Sequence, residues 1–210
     1  LIPLATPGFR VNIFSVMLAV MVLLTAYFTV KRHVIGLFMA VDSWPGRVLP
    51  FFTVLLLALS YIFWNQGIGA KGGVYILNLL FVSIITLYAL NIQNSPERRY
   101  FYLIAFIFGL GFANHWMSIL ILGPILLYFF FLYRDFLRIR GFVSCFLFIL
   151  AGLSAYIYLP VRAGAGPDLN IGNPETLHNF LWVVFREMYQ YSAKTDAGVY
   201  VRQISVFFKL

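Results

Sequence analysis

Residues 11–30 carry no charged side chain. A helix crossing a bilayer core about 30 Å thick needs about 20 apolar residues, and this run supplies them. No water reaches such a core, so every backbone polar group must be paired within the segment, which makes it helical. The same pattern recurs at 48–67 and at 74–90, the latter short enough that its ends reach the interface. Residues 100–133 are too long for one span at about 1.5 Å rise per residue. Their one strongly polar interruption is Asn114-His115, which divides them into 100–116 and 117–133. The next span, 141–159, ends at Pro160, since proline breaks a helix interior. Residues 200–210 open a further, truncated span.

The fold expected is therefore an all-α polytopic membrane protein. A bundle of six spans occupies 1–159, an outer loop 160–199, and the start of another span 200–210. Composition agrees: 62% of residues are hydrophobic, 10% are charged, and the mean hydropathy is +0.89. A soluble domain carries about a quarter charged residues. The chain begins at Leu1 and stops at Leu210 inside an apolar run, so it reads as a fragment lacking material at both ends.

Cations sort by side. Lys31, Arg32, Arg47, Arg98, Arg99, Arg134, Arg138 and Arg140 all fall in loops after odd-numbered spans, whereas the other short segments hold Arg10 and Lys71. The positive-inside rule makes the former side cytoplasmic and puts 160–199 in the periplasm or lumen. Basic residues scattered among spans are not a nucleic-acid surface. Cys145 is the sole cysteine, and His33, His115 and His178 lack metal-ligand spacing, so neither a disulfide nor a zinc site is expected. No internal repeat of the transporter kind is visible.

With that topology the unusual polar residues gather on the outer side. They are Trp64-Asn65-Gln66 and Lys71, then Tyr75 and Asn78 in the third span, Asn114-His115 at a tight turn, and Arg162 after Pro160. Polar groups at membrane depth are costly and face a cavity or a partner. His115 reads as an acid, a base or a hydrogen-bonding group for a substrate head group, or else as the cap of an interfacial turn. Asn114 is an alternative cap. Arg162 can grip a phosphate with two N–H groups or meet lipid head groups. Lys71, in Gly-Ala-Lys-Gly-Gly, lies in an anion-approaching loop or a plain turn.

Residues 164–174 are rich in Gly, Pro, Asn and Asp, which is loop chemistry. Asp168 is the best local acid there, or an Asx-turn residue. Asn173 as N-cap and Pro174 at the first position predict a helix over 174–191. Its apolar stripe of Leu177, Phe180, Leu181, Val184, Phe185 and Met188 suits a helix lying in the interface, or the core of a small outer domain. Arg186 lies off that stripe.

Six short motifs occur in order: Arg10-Val11-Asn12-Ile13-Phe14-Ser15, Phe63-Trp64-Asn65-Gln66, Val74-Tyr75-Ile76-Leu77-Asn78, Gly109-Leu110-Gly111-Phe112-Ala113-Asn114-His115, Tyr158-Leu159-Pro160-Val161-Arg162 and Leu169-Asn170-Ile171-Gly172-Asn173-Pro174-Glu175-Thr176. Their order and spacing resemble the membrane family called domain of unknown function 2723, which includes bacterial proteins and a eukaryotic protein O-mannosyltransferase. Gly73 stands where the family pattern has an acid, and Ile171 replaces a usual tryptophan.

The resemblance implies a GT-C glycosyltransferase bundle. Such an enzyme transfers a sugar, mannose among the candidates, from a polyprenyl-phosphate donor to a protein or glycan acceptor without a further cofactor. Its catalytic acid is implied to lie upstream of Leu1. Arg162 is implied to hold the phosphate, with Arg186 or Lys71 as second choice. His115 and Asn114 would line the donor pocket, and Tyr75 and Asn78 would touch sugar or acceptor. The location implied is a bacterial inner membrane, or an endoplasmic reticulum membrane in a eukaryote, with the active side periplasmic or lumenal. Two other readings stand beside it: a transporter or flippase of lipid-linked substrates, which would need charged groups deep within the spans, and a non-catalytic membrane scaffold.

Overall fold

The computed structural model describes residues 6–35, 43–68 and 72–187. It divides into two compact units, Leu1–Ala155 and Tyr156–Leu210. Among the described residues the chain is helical, with no strand. Four helices are long and apolar enough to cross a membrane: Gly8–His33, Gly73–Asn94, Arg98–Leu120 and Arg134–Gly164. A fifth is present if Trp44–Leu59 and Tyr61–Ile68, bent by 66° at their junction, form one broken span. Large apolar side chains cover their outer surfaces; Leu56 is 72% and Ile62 76% exposed. Lipid is the solvent such surfaces require, so the chain is a multi-pass membrane protein.

In the first unit α1 (Pro7–Thr29) starts at Thr6, whose hydroxyl accepts the Phe9 N–H, with Pro7 pre-set for the first turn. It runs on through a π-helical stretch, Val30–Ile35. Ser43 caps α2 (Trp44–Leu59) in the same way, and α3 (Tyr61–Ile68) follows. Then come α4 (Gly72–Asn94), α5 (Arg98–Leu120), α6 (Gly123–Leu132) and α7 (Arg134–Leu153). Hydroxyls inside the spans are satisfied locally: Ser15, Thr25, Thr29, Ser83 and Thr86 each donate to the carbonyl four residues earlier.

Helices α1 and α4 run parallel. A Cβ on Gly73 would lie 3.2 Å from Ser15 Oγ, while at the other end Asn94 Nδ2 and His33 Nδ1 are 3.3 Å apart. The broken pair α2–α3 carries the chain back between them: α2 packs on the π-helical end of α1, and Gly67 of α3 sits against Ala19. Leu18, Val22, Phe63, Ile76 and Leu80 form the core there. The other face of α4 joins a second core with Ile92, Phe101, Ile104, Ile119, Leu126 and Cys145. Helix α7 crosses α5 at Gly109 and Gly152. A Cβ on Gly109 would strike the Ile149 carbonyl oxygen, and one on Gly152 the Phe106 carbonyl, so only glycine allows that approach.

The 117–133 stretch takes a different form from the span expected. Helix α5 leaves helical geometry at His115 and its last turn folds back, so that Ile119 lies against Gly111. The return continues in α6, whose 10 residues reach about 15 Å, half a bilayer core. It still brings Phe129 and Tyr133 to within 5.7 and 5.4 Å of Phe101 at the start of α5. The turn at Ile121 and Leu122 uses up residues that a full span would need. Arg138, with φ of 54°, similarly splits α7 after its basic first turn.

The second unit departs from expectation at both of its signals. Pro160 does not end a helix; it lies in the first turn of α8 (Tyr158–Gly164), which follows the 3-10 turn Ser154–Ile157. Proline is tolerated there because its missing N–H would have had no partner. In place of the helix expected over 174–191 stands α9 (Leu177–Val184), whose cap is Thr176, which accepts the Asn179 N–H. Asn173 is otherwise engaged. It takes φ of 39°, its Oδ1 accepts from Asn170 and its carbonyl accepts from Asn179 Nδ2. Leu177 and Phe185 stay exposed. Residues 188–210, including the last part of that expected helix and the further span, lie outside the described residues, as does Lys71.

Candidate functional site

The break in α5 builds a polar cluster in an otherwise apolar bundle. At His115 the backbone turns extended (φ −154°, ψ 83°), which strips carbonyls of their helical partners. Asn78, buried at 3% exposure on α4, donates from Nδ2 to the His115 carbonyl at 2.9 Å. Its Oδ1 accepts from Asn114 Nδ2 at 2.7 Å, and the same Asn114 nitrogen donates to the Val74 carbonyl at 2.7 Å. Both Asn114 amide hydrogens are thus used, and Oδ1 is what Asn114 offers a ligand. The carboxamide pair takes over the pairing that the helix abandons.

His115 itself caps the turn that follows. Its Nδ1 lies 3.4 Å from the donating Ser118 N–H and 2.8 Å from Ser118 Oγ. A backbone N–H can only donate, so in that contact Nδ1 is the acceptor. Of the two capping alternatives, the cap is therefore His115, while Asn114 ties α5 to α4. The Tyr75 ring lies 5.3 Å from the imidazole, tilted by 49°, and is itself 44% exposed. Tyr75 also lines a hollow of about 310 Å³ with Ser60, Phe63 and Gln66, at the break between α2 and α3.

Tyr75, Asn78, Asn114 and His115 are thus brought together. Ser118 was not singled out from sequence, although a hydroxyl three residues after a histidine at a break is the spacing of a cap. Arg162, Asp168 and Arg186 belong to the second unit. Arg162 is exposed in the last turn of α8, Asp168 is exposed in the loop that follows, and Arg186 takes φ of 56° just past α9. Among the described residues no ion pair joins Asp168 to either arginine.

The opposite end of the first unit is basic. Lys31, Arg32 and Arg99 line one groove where α1, α4 and α5 end or begin, and Arg98 lies 5.8 Å from the Phe136 ring. The carboxamide–imidazole cluster and these cations occupy opposite ends of α4 and α5.

A family model described as the protein O-mannosyl-transferase TMEM260 N-terminal domain matches residues 1–137. The chain belongs to this family. The matched residues contain α1 to α6 and hence the whole of the Tyr75–Asn78–Asn114–His115 cluster, whereas Arg162, Asp168 and Arg186 lie beyond them. No curated protein and no solved structure matches the chain.

Proposed function

We propose that this chain is the membrane bundle of a GT-C-type glycosyltransferase, of the family called domain of unknown function 2723. It moves a sugar, mannose by the family's name, from a polyprenyl-phosphate donor to a hydroxyl of a protein acceptor on the non-cytoplasmic face. The observation that carries this reading is the hydrogen-bonded cluster of Asn78, Asn114 and His115 at the end of the bundle away from the cations. Membership of a protein O-mannosyl-transferase family supports it. The positive-inside rule makes the cation-poor end the outer one.

In the step proposed, the acceptor oxygen attacks the anomeric carbon from the face opposite the phosphate. The bond from that carbon to the phosphate oxygen breaks, the acceptor proton passes to a carboxylate, and the lipid phosphate leaves with its charge. Cations stabilise that leaving group. Arg162 is assigned the phosphate, with Arg186 or Lys71 as second choice. Asn114 Oδ1 accepts from a sugar hydroxyl, while the Tyr75–His115 ring pair gives an amphipathic platform beside it. Asn78 is buried with both ends of its amide engaged, so it positions Asn114 and His115 rather than touching sugar.

The test is incubation of the full-length protein in membranes with labelled polyprenyl-phosphate sugars and a protein acceptor. Label is expected in the acceptor, and Arg162→Ala is expected to abolish transfer while the protein stays in the membrane. Unchanged turnover in that variant would remove the phosphate role. No transfer from any lipid-linked sugar would overturn the reading as a whole.

A further inference from the structure

The basic groove at the opposite end of the first unit is a separate feature. It measures about 860 Å³, within the range of small-molecule sites. Its charged rim is Lys31 and Arg32 from the end of α1 and Arg99 from the start of α5. Its wall is apolar, with Phe28 and Leu103 set toward the middle of the same helices. Glu97 grips Arg99 through Nε at 2.6 Å and a second nitrogen at 3.1 Å, so that pair cancels. Lys31 lies 6.0 Å from the Tyr27 ring, and neither Lys31 nor Arg32 meets a carboxylate among the described residues. Among the described residues, therefore, two positive charges at the polar end of the groove meet no carboxylate.

Cations at the end of membrane-crossing helices, above an apolar wall that continues along those helices, match one kind of molecule in shape and charge. We infer that this groove binds a phospholipid with an anionic head group, its phosphate between Lys31 and Arg32 and an acyl chain along Phe28 and Leu103. A free anion would use the cations but not the wall; a zwitterionic lipid would use the wall but carries its own cation toward Lys31 and Arg32. Basic pockets between membrane helices are known binding points for acidic lipid head groups. The site is remote from the His115 cluster, so its fate does not depend on the transferase reading.

The test uses the full-length protein purified in detergent micelles and native mass spectrometry with three probes: phosphatidylglycerol, phosphatidylcholine and inorganic phosphate. Phosphatidylglycerol is expected to bind about 25-fold more tightly than phosphatidylcholine. The double variant Lys31→Gln, Arg32→Gln should erase that preference, at about fivefold per cation. Arg47→Gln, a neighbouring cation outside the groove, should leave the preference intact. Leu103→Trp fills the apolar wall while keeping every charge, and should also weaken the anionic lipid, which holds the inference testable if the double variant fails to fold. Equal binding of the two lipids would overturn it. So would a loss in Arg47→Gln as large as in the double variant, undiminished binding in Leu103→Trp, or displacement of the lipid by millimolar inorganic phosphate.

Discussion

The breaks at Ser60 and at His115, both in the first unit and both without a proline at the break, differ in kind. Between α2 and α3 the break is local: Ser60 takes φ −66° and ψ 135°, its Oγ donates to the Leu57 carbonyl at 2.8 Å, and the same oxygen accepts the Phe63 N–H at 3.4 Å. Everything that break needs lies within three residues. At His115 only the cap is local; the abandoned carbonyl is met by Asn78, 37 residues away, and Asn114 reaches back to Val74 across 40. A locally satisfied break is a bend that forms wherever its sequence is placed. A break satisfied from another helix couples the two helices, α4 and α5.

That contrast can be broken in several places. Asn78→Ala should cost the most, about 2 kcal/mol in unfolding free energy, because two interhelical bonds go and the His115 carbonyl and Asn114 amide are left wanting. Thermal unfolding in detergent reads it; a loss no larger than that of Ser60→Ala would erase the distinction. Asn78→Ala and Asn114→Ala should be strongly non-additive, with a coupling of about 1 kcal/mol, whereas Asn78→Ala and Ser60→Ala should add. Double-mutant cycles on the same unfolding signal decide between those outcomes. Ser60→Ala should cost about 1 kcal/mol, the loss of a cap. The smallest effect on stability is expected for Tyr75→Phe, about 0.5 kcal/mol or less because Tyr75 is exposed. Its value is in transfer: if Tyr75 serves the proposed sugar site, turnover in membranes falls while the unfolding midpoint holds. Equal turnover would confine that end of the bundle to a structural role.

Much of this was legible from sequence, and for identifiable reasons. Residues 11–30 and 74–90 are read as helical spans from length and apolarity alone. Asn114-His115 stands out as polar residues inside a long apolar run, and the break falls at His115. What sequence could not rank was which residue of that pair caps the turn, because both types can do so; Asn78 decided it by claiming Asn114. The same competition moved the α9 cap from Asn173 to Thr176, since Asn170 and Asn179 had already engaged Asn173. The shortening of 117–133 into α6 was missed for another reason: the stretch reads as apolar enough for a span, and the local signal that restarts the helix, Gly123-Pro124 with its proline in the first turn of α6, was passed over, while Ile119 closes against Gly111.

The sequence by itself determined that the chain is helical and membrane-embedded and that cations and polar residues segregate along it. Those are properties of local composition, which the bilayer enforces segment by segment. Only the tertiary structure decided that α1 and α4 run parallel, that glycines at 109 and 152 carry the α5–α7 crossing, and that Asn78, Asn114 and His115 form one hydrogen-bonded unit. Each of these depends on a partner tens of residues away, and no local propensity encodes which buried amide will meet which carbonyl once the helices have packed.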